Sequence, residues 1–390
     1  MSFSLNRSMY DETLGKLQST SAFLPNNTDF VNWTSNVEFY VADYQLPKAL
    51  LASVLASYVI LFILSCLGNG VVCLAIGFRY LKPTVTNFFM CSLAASDVLV
   101  TVLSVPFTVL SNLVFMYWPF GPFLCPVISL LQLMVNMLRA LTLVAMTCDR
   151  YFVITKPFSQ RLTLKQAKLV IAGIWSFSLV FSLPVAIFSK IIYLPYEPGS
   201  KGLCFEVWTN ESLRRVYGIT IMLIQYFIPL LLMFLTFSHI AVIVWTKRAP
   251  GEANKKRDER RGRSKKRMLQ MLIIIVLNYF LSWLPYHVIS IVGDVHPSIY
   301  DSKSMHILWA LSHLLSISNS ATNAGIYYWR NRNYRLAFKN LWKTCIQCRR
   351  TFGKDTNRYN NVSLMLSQPI SRRSSSILKF SRHSPANMTL

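Results

Sequence analysis

Four polar or reactive residues lie along one side of a long hydrophobic stretch, residues 123–151. At 100° per residue on a helix, Cys125, Gln132, Arg139 and Arg150 fall within about 20° of one line. A cysteine can form a disulfide, an amide can bind a polar ligand, and a buried guanidinium requires a carboxylate partner. Because a membrane helix does not turn such a stripe toward lipid, the stripe predicts the interior of a helix bundle.

Seven hydrophobic stretches are long enough to cross a bilayer. Of the 390 residues 53% are hydrophobic and 14% are charged, which indicates a multi-pass membrane protein and excludes an ordinary soluble enzyme. Each stretch is near or above the roughly 20 residues that a spanning helix needs. Spans 1 to 7 are predicted at residues 49–78, 87–116, 123–148, 169–188, 216–245, 268–292 and 307–329.

Lysine and arginine are distributed unevenly between the two sides. The segment before span 1 has three of them, whereas residues 246–267 have eleven and the residues after Trp329 have thirteen. Basic segments remain in the cytoplasm, so the N-terminus is predicted outside and the C-terminus inside. The net charge of +24 therefore indicates attraction to anionic membrane lipids, and we expect no nucleic-acid partner.

The spans contain a polar layer in the inner half of the membrane. Asp97 and Arg139 are the only formal charges well inside a span. Counted from the cytoplasmic ends, the polar residues lie about 10–16 Å deep. We predict an Asp97–Arg139 ion pair; the alternative is that Arg139 turns away toward backbone carbonyls. The predicted layer consists of Asn69, Asp97, Arg139, Asn319 and Asn323.

Two of the eight cysteines, Cys125 and Cys204, are predicted to face the oxidising outside. A disulfide between them is the simplest assignment. Glycosylation sequons occur on the same side, at Asn6, Asn26, Asn32 and Asn210. No Cys/His cluster has the spacing of metal ligands, so neither a metal nor a cofactor is expected.

The chain is predicted to have four parts. They are an extracellular glycosylated tail (1–48), the seven-helix bundle (49–329), an amphipathic helix on the inner membrane surface (330–344) and a disordered cytoplasmic tail (345–390). Cys345 and Cys348 are predicted palmitoylation sites. Residues 372–376, Arg-Arg-Ser-Ser-Ser, are a candidate kinase and arrestin site or an ordinary tail segment.

Motifs in every span resemble those of the rhodopsin-like G-protein-coupled receptors. They are Asn69, the run 93–97, Cys125, the triplet Asp149, Arg150 and Tyr151, Trp175, Cys204, Pro229, the triplet 283–285, Asn323, Tyr327 and the segment 334–338. The resemblance covers about residues 49–342. It implies an all-α seven-transmembrane helix bundle with a short amphipathic eighth helix in the plasma membrane. Ser282, Ala324, Phe237 and Tyr279 depart from the family pattern.

The resemblance also implies a sodium site around Asp97. In the family the position of Arg139 usually carries a small hydroxyl side chain that binds the ion. Arg139 is a permanent cation. We therefore predict that its guanidinium replaces sodium.

The outer half of the bundle resembles receptors for amidated peptides of the neuropeptide Y and RF-amide type. Gln132 stands where amine receptors have a carboxylate, which argues against a monoamine ligand. Ile317 stands where light-sensing relatives have a retinal-binding lysine. The resemblance implies that Asp294 meets a ligand arginine and that Gln132 lies near the amidated end.

Several other residues are predicted to line the same pocket. Trp283, His287, Ser290 and Asp294 share one face of span 6. Glu206 follows Cys204, and Trp309 and His313 lie on span 7. The alternatives are ordinary solvated acids for Asp294 and Glu206, and ordinary packing for Trp309 and His313. The predicted ligand-binding set is Gln132, Glu206, Trp283, His287, Ser290, Asp294, Trp309 and His313.

The inner face resembles a G-protein coupling surface. The resemblance assigns Asp149, Arg150, Tyr151 and Pro157 to it, with receptor kinase and arrestin as further partners. The base of span 6, residues 264–267, has no acid to restrain Arg150. Elevated basal activity is therefore one hypothesis.

The sequence supports other functions less well than it supports a peptide receptor. A receptor for a lipid or another non-peptide ligand is the nearest alternative. A channel or transporter would show inverted repeats, broken helices or a row of intramembrane charges, and the sequence shows none. No nucleophile–base constellation or phosphate loop indicates an enzyme.

Overall fold

Helices make up most of the described chain. The computed structural model describes residues 46–103, 105–156, 160–193, 202–246, 255–296, 299, 303–341 and 343–344. The chain divides into two units, Met1–Arg335 and Leu336–Leu390. The described part of the second unit, residues 336–341 and 343–344, is helical, and its placement on a membrane surface stays a prediction.

The helices lie where the spans were predicted. Span 3 begins and ends outside its predicted range. Span 6 begins thirteen residues early, because the Lys- and Arg-rich segment before it also favours helix. The structure gives span 1 as Lys48–Gly77, span 2 as Val85–Leu103, Val105–Val109 and the π-helix Leu110–Phe115, span 3 as Gly121–Thr155, span 4 as Leu164–Phe188, span 5 as Glu211–Met222, the π-helix Leu223–Phe227 and Ile228–Thr246, span 6 as Lys255–Val295 and span 7 as Lys303–Arg330.

Spans 1 to 6 are long and apolar enough to cross a membrane by length and composition, among the residues that the structure describes. Span 7 is a continuous helix of 28 residues but is less apolar. Its inner half carries the polar run 316–323, Ser-Ile-Ser-Asn-Ser-Ala-Thr-Asn. Five of these eight residues are buried, so this polarity faces other helices.

Span 3 is the central helix. It packs against spans 2, 4, 5 and 6. In its polar stripe Cys125, Arg139 and Arg150 are buried and Gln132 is half-buried. The stripe that begins at Cys125 is therefore surrounded by protein, as the sequence predicts.

Two tyrosines exchange hydrogen bonds between spans 5 and 6. The Tyr226 hydroxyl donates to the Phe280 carbonyl, and the Tyr279 hydroxyl donates to the Gln225 carbonyl, each at 3.0 Å. Pro229 has no N–H and cannot donate to the carbonyl four residues earlier, which is that of Gln225. Tyr279, a departure from the family pattern, thus supplies a donor beside the proline and its preceding π-helix.

Gly68 of span 1 lies against Ala324 of span 7. A Cβ added to Gly68 would lie 2.6 Å from the Cβ of Ala324, whereas one added to Gly70 meets nothing within 4 Å. We expect Gly68→Ala to lower the free energy of unfolding by about 1–3 kcal/mol through overpacking. Thermal unfolding of the purified receptor measures this. Gly70→Ala is the matched control, and equal stability of the two variants would contradict the prediction.

Candidate functional site

A disulfide joins the outer end of span 3 to the loop after span 4. Cys125 and Cys204 are bonded, and Cys125 is fully buried. Cys204 lies in strand β2 (Leu203–Glu206), which pairs antiparallel with β1 (Ser189–Ile192). The hairpin is thereby attached to the central helix, and Glu206 is fixed two residues from the bond.

The predicted aromatic residues of spans 6 and 7 meet through Tyr286. Its ring centroid lies 5.9 Å from that of Trp283 and 6.2 Å from those of His287 and His313. Trp309 stacks on His313 at 5.2 Å. Sequence reasoning missed Tyr286, although its position three residues after Trp283 places it on a neighbouring face of the helix.

Two of these side chains carry buried polar atoms that nothing satisfies. Within the described residues, Trp283 Nε1 and both ring nitrogens of His287 have no hydrogen-bond partner. Trp283 is 6% exposed and His287 is 1% exposed. Because an unpaired buried polar group is costly, these atoms are candidate ligand contacts. His313 differs, since its Nδ1 shares a 2.7 Å hydrogen bond with the Tyr58 hydroxyl and so links spans 1 and 7.

Gln132 and Ser290 both make contacts with neighbouring residues. The Gln132 amide nitrogen donates to the Thr108 hydroxyl of span 2. This bond leaves the amide oxygen as the acceptor that a ligand N–H can use. The Ser290 hydroxyl donates to the Tyr286 carbonyl one turn earlier, at 3.0 Å.

The two predicted rim acids have different partners. Glu206 Oε2 accepts a 3.1 Å hydrogen bond from the indole of Trp208, which is itself buried. Asp294 forms a salt bridge with Arg214 of span 5, with 3.2 Å between Nη1 and Oδ1. Asp294 therefore accepts a guanidinium in this structure, and its part in ligand binding stays a prediction.

The inner polar layer joins spans 1, 2, 3 and 7. Arg139 Nη2 lies 2.7 Å from Asp97 Oδ1, and the two side chains are 1% and 0% exposed. The Arg139 guanidinium also donates to the Ser320 hydroxyl. Asn323 donates to Asp97 Oδ2 at 3.3 Å, and Asn69 donates to the Ser320 carbonyl at 2.9 Å.

Span 6 joins this layer through Asn278. Its amide nitrogen lies 2.6 Å from Asn319 Oδ1 and 2.7 Å from the Thr322 hydroxyl. Sequence reasoning missed Asn278 and Ser320. Asn278 could have been predicted, because it is a polar residue within an apolar span. Ser320 could not, because serine is common in helices and usually bonds to its own backbone.

The residues around Asp97 do not fit a sodium ion. Sodium requires oxygen ligands, whereas the Arg139 guanidinium has only donors and a fixed positive charge. It lies in contact with the carboxylate that would attract the ion. A second cation there would meet the charge of Arg139 at close range in a buried site.

The inner ends of spans 2, 3 and 6 meet at Arg150. Its Nε donates to Asp149 Oδ2 at 2.9 Å, and its Nη2 contacts the same carboxylate and the Thr86 hydroxyl. From span 6 the contact is Met268, whose sulfur lies 3.5 Å from Nη1. Arg150 is therefore held by its own helix and span 2.

Tyr151 points toward span 5, where its hydroxyl lies 3.0 Å from His239 Nδ1. The fourth predicted coupling residue, Pro157, lies outside the described residues. The predicted modification sites Asn6, Asn26, Asn32, Cys345 and Cys348 also lie outside them.

Asn210 is exposed at the start of span 5. Its side-chain oxygen accepts a 3.2 Å hydrogen bond from the Leu213 amide, which makes it the N-cap of the helix. The side-chain nitrogen, which would carry a glycan, is not used by this bond. Glycosylation of Asn210 stays a prediction.

Together these features define a multi-pass membrane protein, in which the predicted ligand-binding and coupling residues lie toward opposite ends of one helix bundle. The sequence profile of the 7 transmembrane receptor (rhodopsin family) matches residues 68–327. The chain belongs to this family and is a signalling receptor, not an enzyme.

Named relatives are similar over most of the chain. The RYamide receptor of Tribolium castaneum is 34% identical over 325 residues, which cover 81% of this chain and 86% of that receptor. The RYamide receptor of Drosophila melanogaster is 33% identical over 289 residues, 73% of this chain and 62% of that receptor. The neuropeptide FF receptor 2 of Rattus norvegicus is 29% identical over 364 residues, 88% and 87%.

Proposed function

We propose that this receptor binds an extracellular amidated peptide with an arginine near its C-terminus and activates a heterotrimeric G protein. Asp294 carries the proposal, because its carboxylate holds a guanidinium at 3.2 Å on the helix face it shares with Trp283 and His287. The names of the RYamide relatives support an arginine followed by tyrosine and an amide. A lipid ligand without a cationic headgroup would not pair with this carboxylate.

The deeper end of the pocket fits the amidated terminus. The Gln132 amide oxygen remains available for an N–H of the terminal amide, since the amide nitrogen is bound to Thr108. Trp283 Nε1 and the His287 ring offer further buried polar atoms to the peptide. We therefore assign the arginine to Asp294 and the amide to Gln132.

The inner face is the proposed site of G-protein contact. Arg150 is 9% exposed and held by Asp149 and Thr86 in this structure. Binding of the G protein requires that these bonds are exchanged for contacts with its α-subunit. The predicted kinase, arrestin and lipid contacts, the plasma-membrane location and the outside N-terminus complete the proposal.

A synthetic peptide ending in arginine, tyrosine and an amide tests the function. We expect it to activate cells that express the receptor with a promiscuous G protein, and we expect its free-acid form to be weaker. Gln132→Ala should reduce potency for the amidated peptide and much less for the free acid, because the free acid has no terminal amide N–H to donate to Gln132. Activation by a lipid with no response to any amidated peptide would contradict the proposal.

Removing the charge of Asp294 should affect the arginine alone. A bound peptide shields its arginine and Asp294 from water, and losing a hydrogen bond to a charged group then costs about 1.5–3 kcal/mol, so Asp294→Asn should lower potency by about 10- to 100-fold. For a peptide with citrulline in place of arginine, Asp294→Asn should cause no further loss of potency, because citrulline has no charge for the carboxylate to bind. Glu206→Gln removes a charge nearby, keeps an acceptor for Trp208 and tests whether the second predicted rim acid also contributes.

A further inference from the structure

Asp294 is already bound to a cation of the receptor itself. Both terminal nitrogens of Arg214 contact one oxygen, Oδ1, at 3.2 and 3.3 Å. The contact joins the first turns of span 5 to the last turn of span 6. It is a specific contact between two helix ends that lie 80 residues apart.

The position of Arg214 is fixed by the start of its helix. Asn210 caps the helix through the Leu213 amide, and the Arg214 amide donates to the Asn210 carbonyl at 3.1 Å. The side chain reaches from this capped turn across to span 6. Asp294 and Arg214 are 41% and 25% exposed, so water and a ligand can reach the pair.

An exposed ion pair of this kind is weak and therefore exchangeable. A ligand guanidinium that approaches Asp294 must displace Arg214 or share the carboxylate with it. Sharing places two cations close together, which is unfavourable even at high dielectric. Either way, Arg214 opposes a cationic ligand and has no such effect on a neutral one.

We infer that Arg214 is an internal competitor for the arginine of the ligand, and that it sets the receptor's affinity and charge selectivity at Asp294. This inference rests on the proposed function. The guanidinium occupies the carboxylate in the absence of peptide and leaves it when the peptide binds. Arg214 is thus a specificity-determining residue that acts through Asp294.

The test combines a receptor variant with a ligand variant. The probes are the peptide ending in arginine, tyrosine and an amide, and its citrulline analogue, measured by competition binding at matched surface expression. Arg214→Gln should raise affinity for the arginine peptide by about two- to fivefold and leave the citrulline analogue unchanged. Arg215→Gln, with the same change in net charge, should not separate the two peptides.

Two results would overturn the inference. One is an equal change for both peptides in Arg214→Gln, which would make Arg214 an ordinary pocket residue. The other is the same separation of the peptides in Arg215→Gln, which would make the effect one of general charge.

The variant Asp294→Asn distinguishes this inference from the proposed function. If this variant shows the same difference in affinity between the two peptides as the wild type, Asp294 is not the arginine acceptor and the proposed function fails at this point. If it removes the preference for arginine while Arg214→Gln has no effect, only the competitor role is wrong. The double variant should show no gain over Asp294→Asn, because no carboxylate remains to compete for.

Discussion

Replacing Asp97 by asparagine is expected to destabilise the receptor by about 3–5 kcal/mol, because it leaves a buried charge without its partner. The Arg139 side chain is 1% exposed, and within the described residues its Nε and Nη1 have no hydrogen-bond partner. Its Nη2 contacts Asp97, which is its only partner of opposite charge in the described part of the layer. Thermal unfolding of the purified receptor measures the loss, which should appear as a clearly lower Tm.

The double variant Asp97→Asn with Arg139→Gln separates charge from shape. It removes both charges and keeps a polar side chain at each position, so it should recover a large part of the lost stability. A double variant no more stable than Asp97→Asn would contradict the ion-pair account. Asp294→Asn is the control for a salt bridge near the surface and should change Tm little.

The same geometry predicts that sodium has no effect on the wild-type receptor. Agonist affinity should be equal in sodium chloride and in choline chloride of the same ionic strength, because Arg139 already neutralises Asp97. A sodium effect that Asp97→Asn abolishes would show that the ion binds beside the guanidinium. Such a result would defeat the prediction that Arg139 replaces the ion.

The parts of the structure that depend on helix periodicity and membrane depth could be predicted from the sequence. Arg139 and Asp97 are the only charges well inside the predicted spans. Because an unpaired charge in a membrane is costly, an ion pair between them is the favoured arrangement. Cys125 and Cys204 were paired because they were the two cysteines assigned to the outside. The ion pair and the disulfide could both be predicted because only two residues of the required kind were available for each.

The contacts that were missed join residues that are ordinary in sequence. Arg214 and Asp294 lie at helix ends, where charge is expected, and nothing local indicates that they meet. Tyr279 and Gln225 become partners only when the register between spans 5 and 6 is set by packing. The assignment of His313 to the ligand pocket was likewise open, and its bond to Tyr58 favours a structural role.

Breaking the outer disulfide is expected to have the second large effect. Cys125 and Cys204 are 79 residues apart in sequence, and removing a native disulfide costs about 2–5 kcal/mol. The loss should reach function as well as stability, because the bond attaches strand β2 and Glu206 to the outer end of span 3. Peptide binding should therefore weaken more than the loss of Glu206 alone explains.

The double variant Cys125→Ala with Cys204→Ala leaves neither partner of the broken bond as a new unpaired thiol, which could form a wrong disulfide in a single variant. Cys66→Ala is the control, since Cys66 is a free, partly buried cysteine in span 1. Binding of the amidated peptide and Tm are measured for both. If the double variant has the same affinity and Tm as the control, the disulfide does not position the hairpin. Other contacts would then hold it, such as the 2.8 Å hydrogen bond from the Trp118 amide to the Gly202 carbonyl.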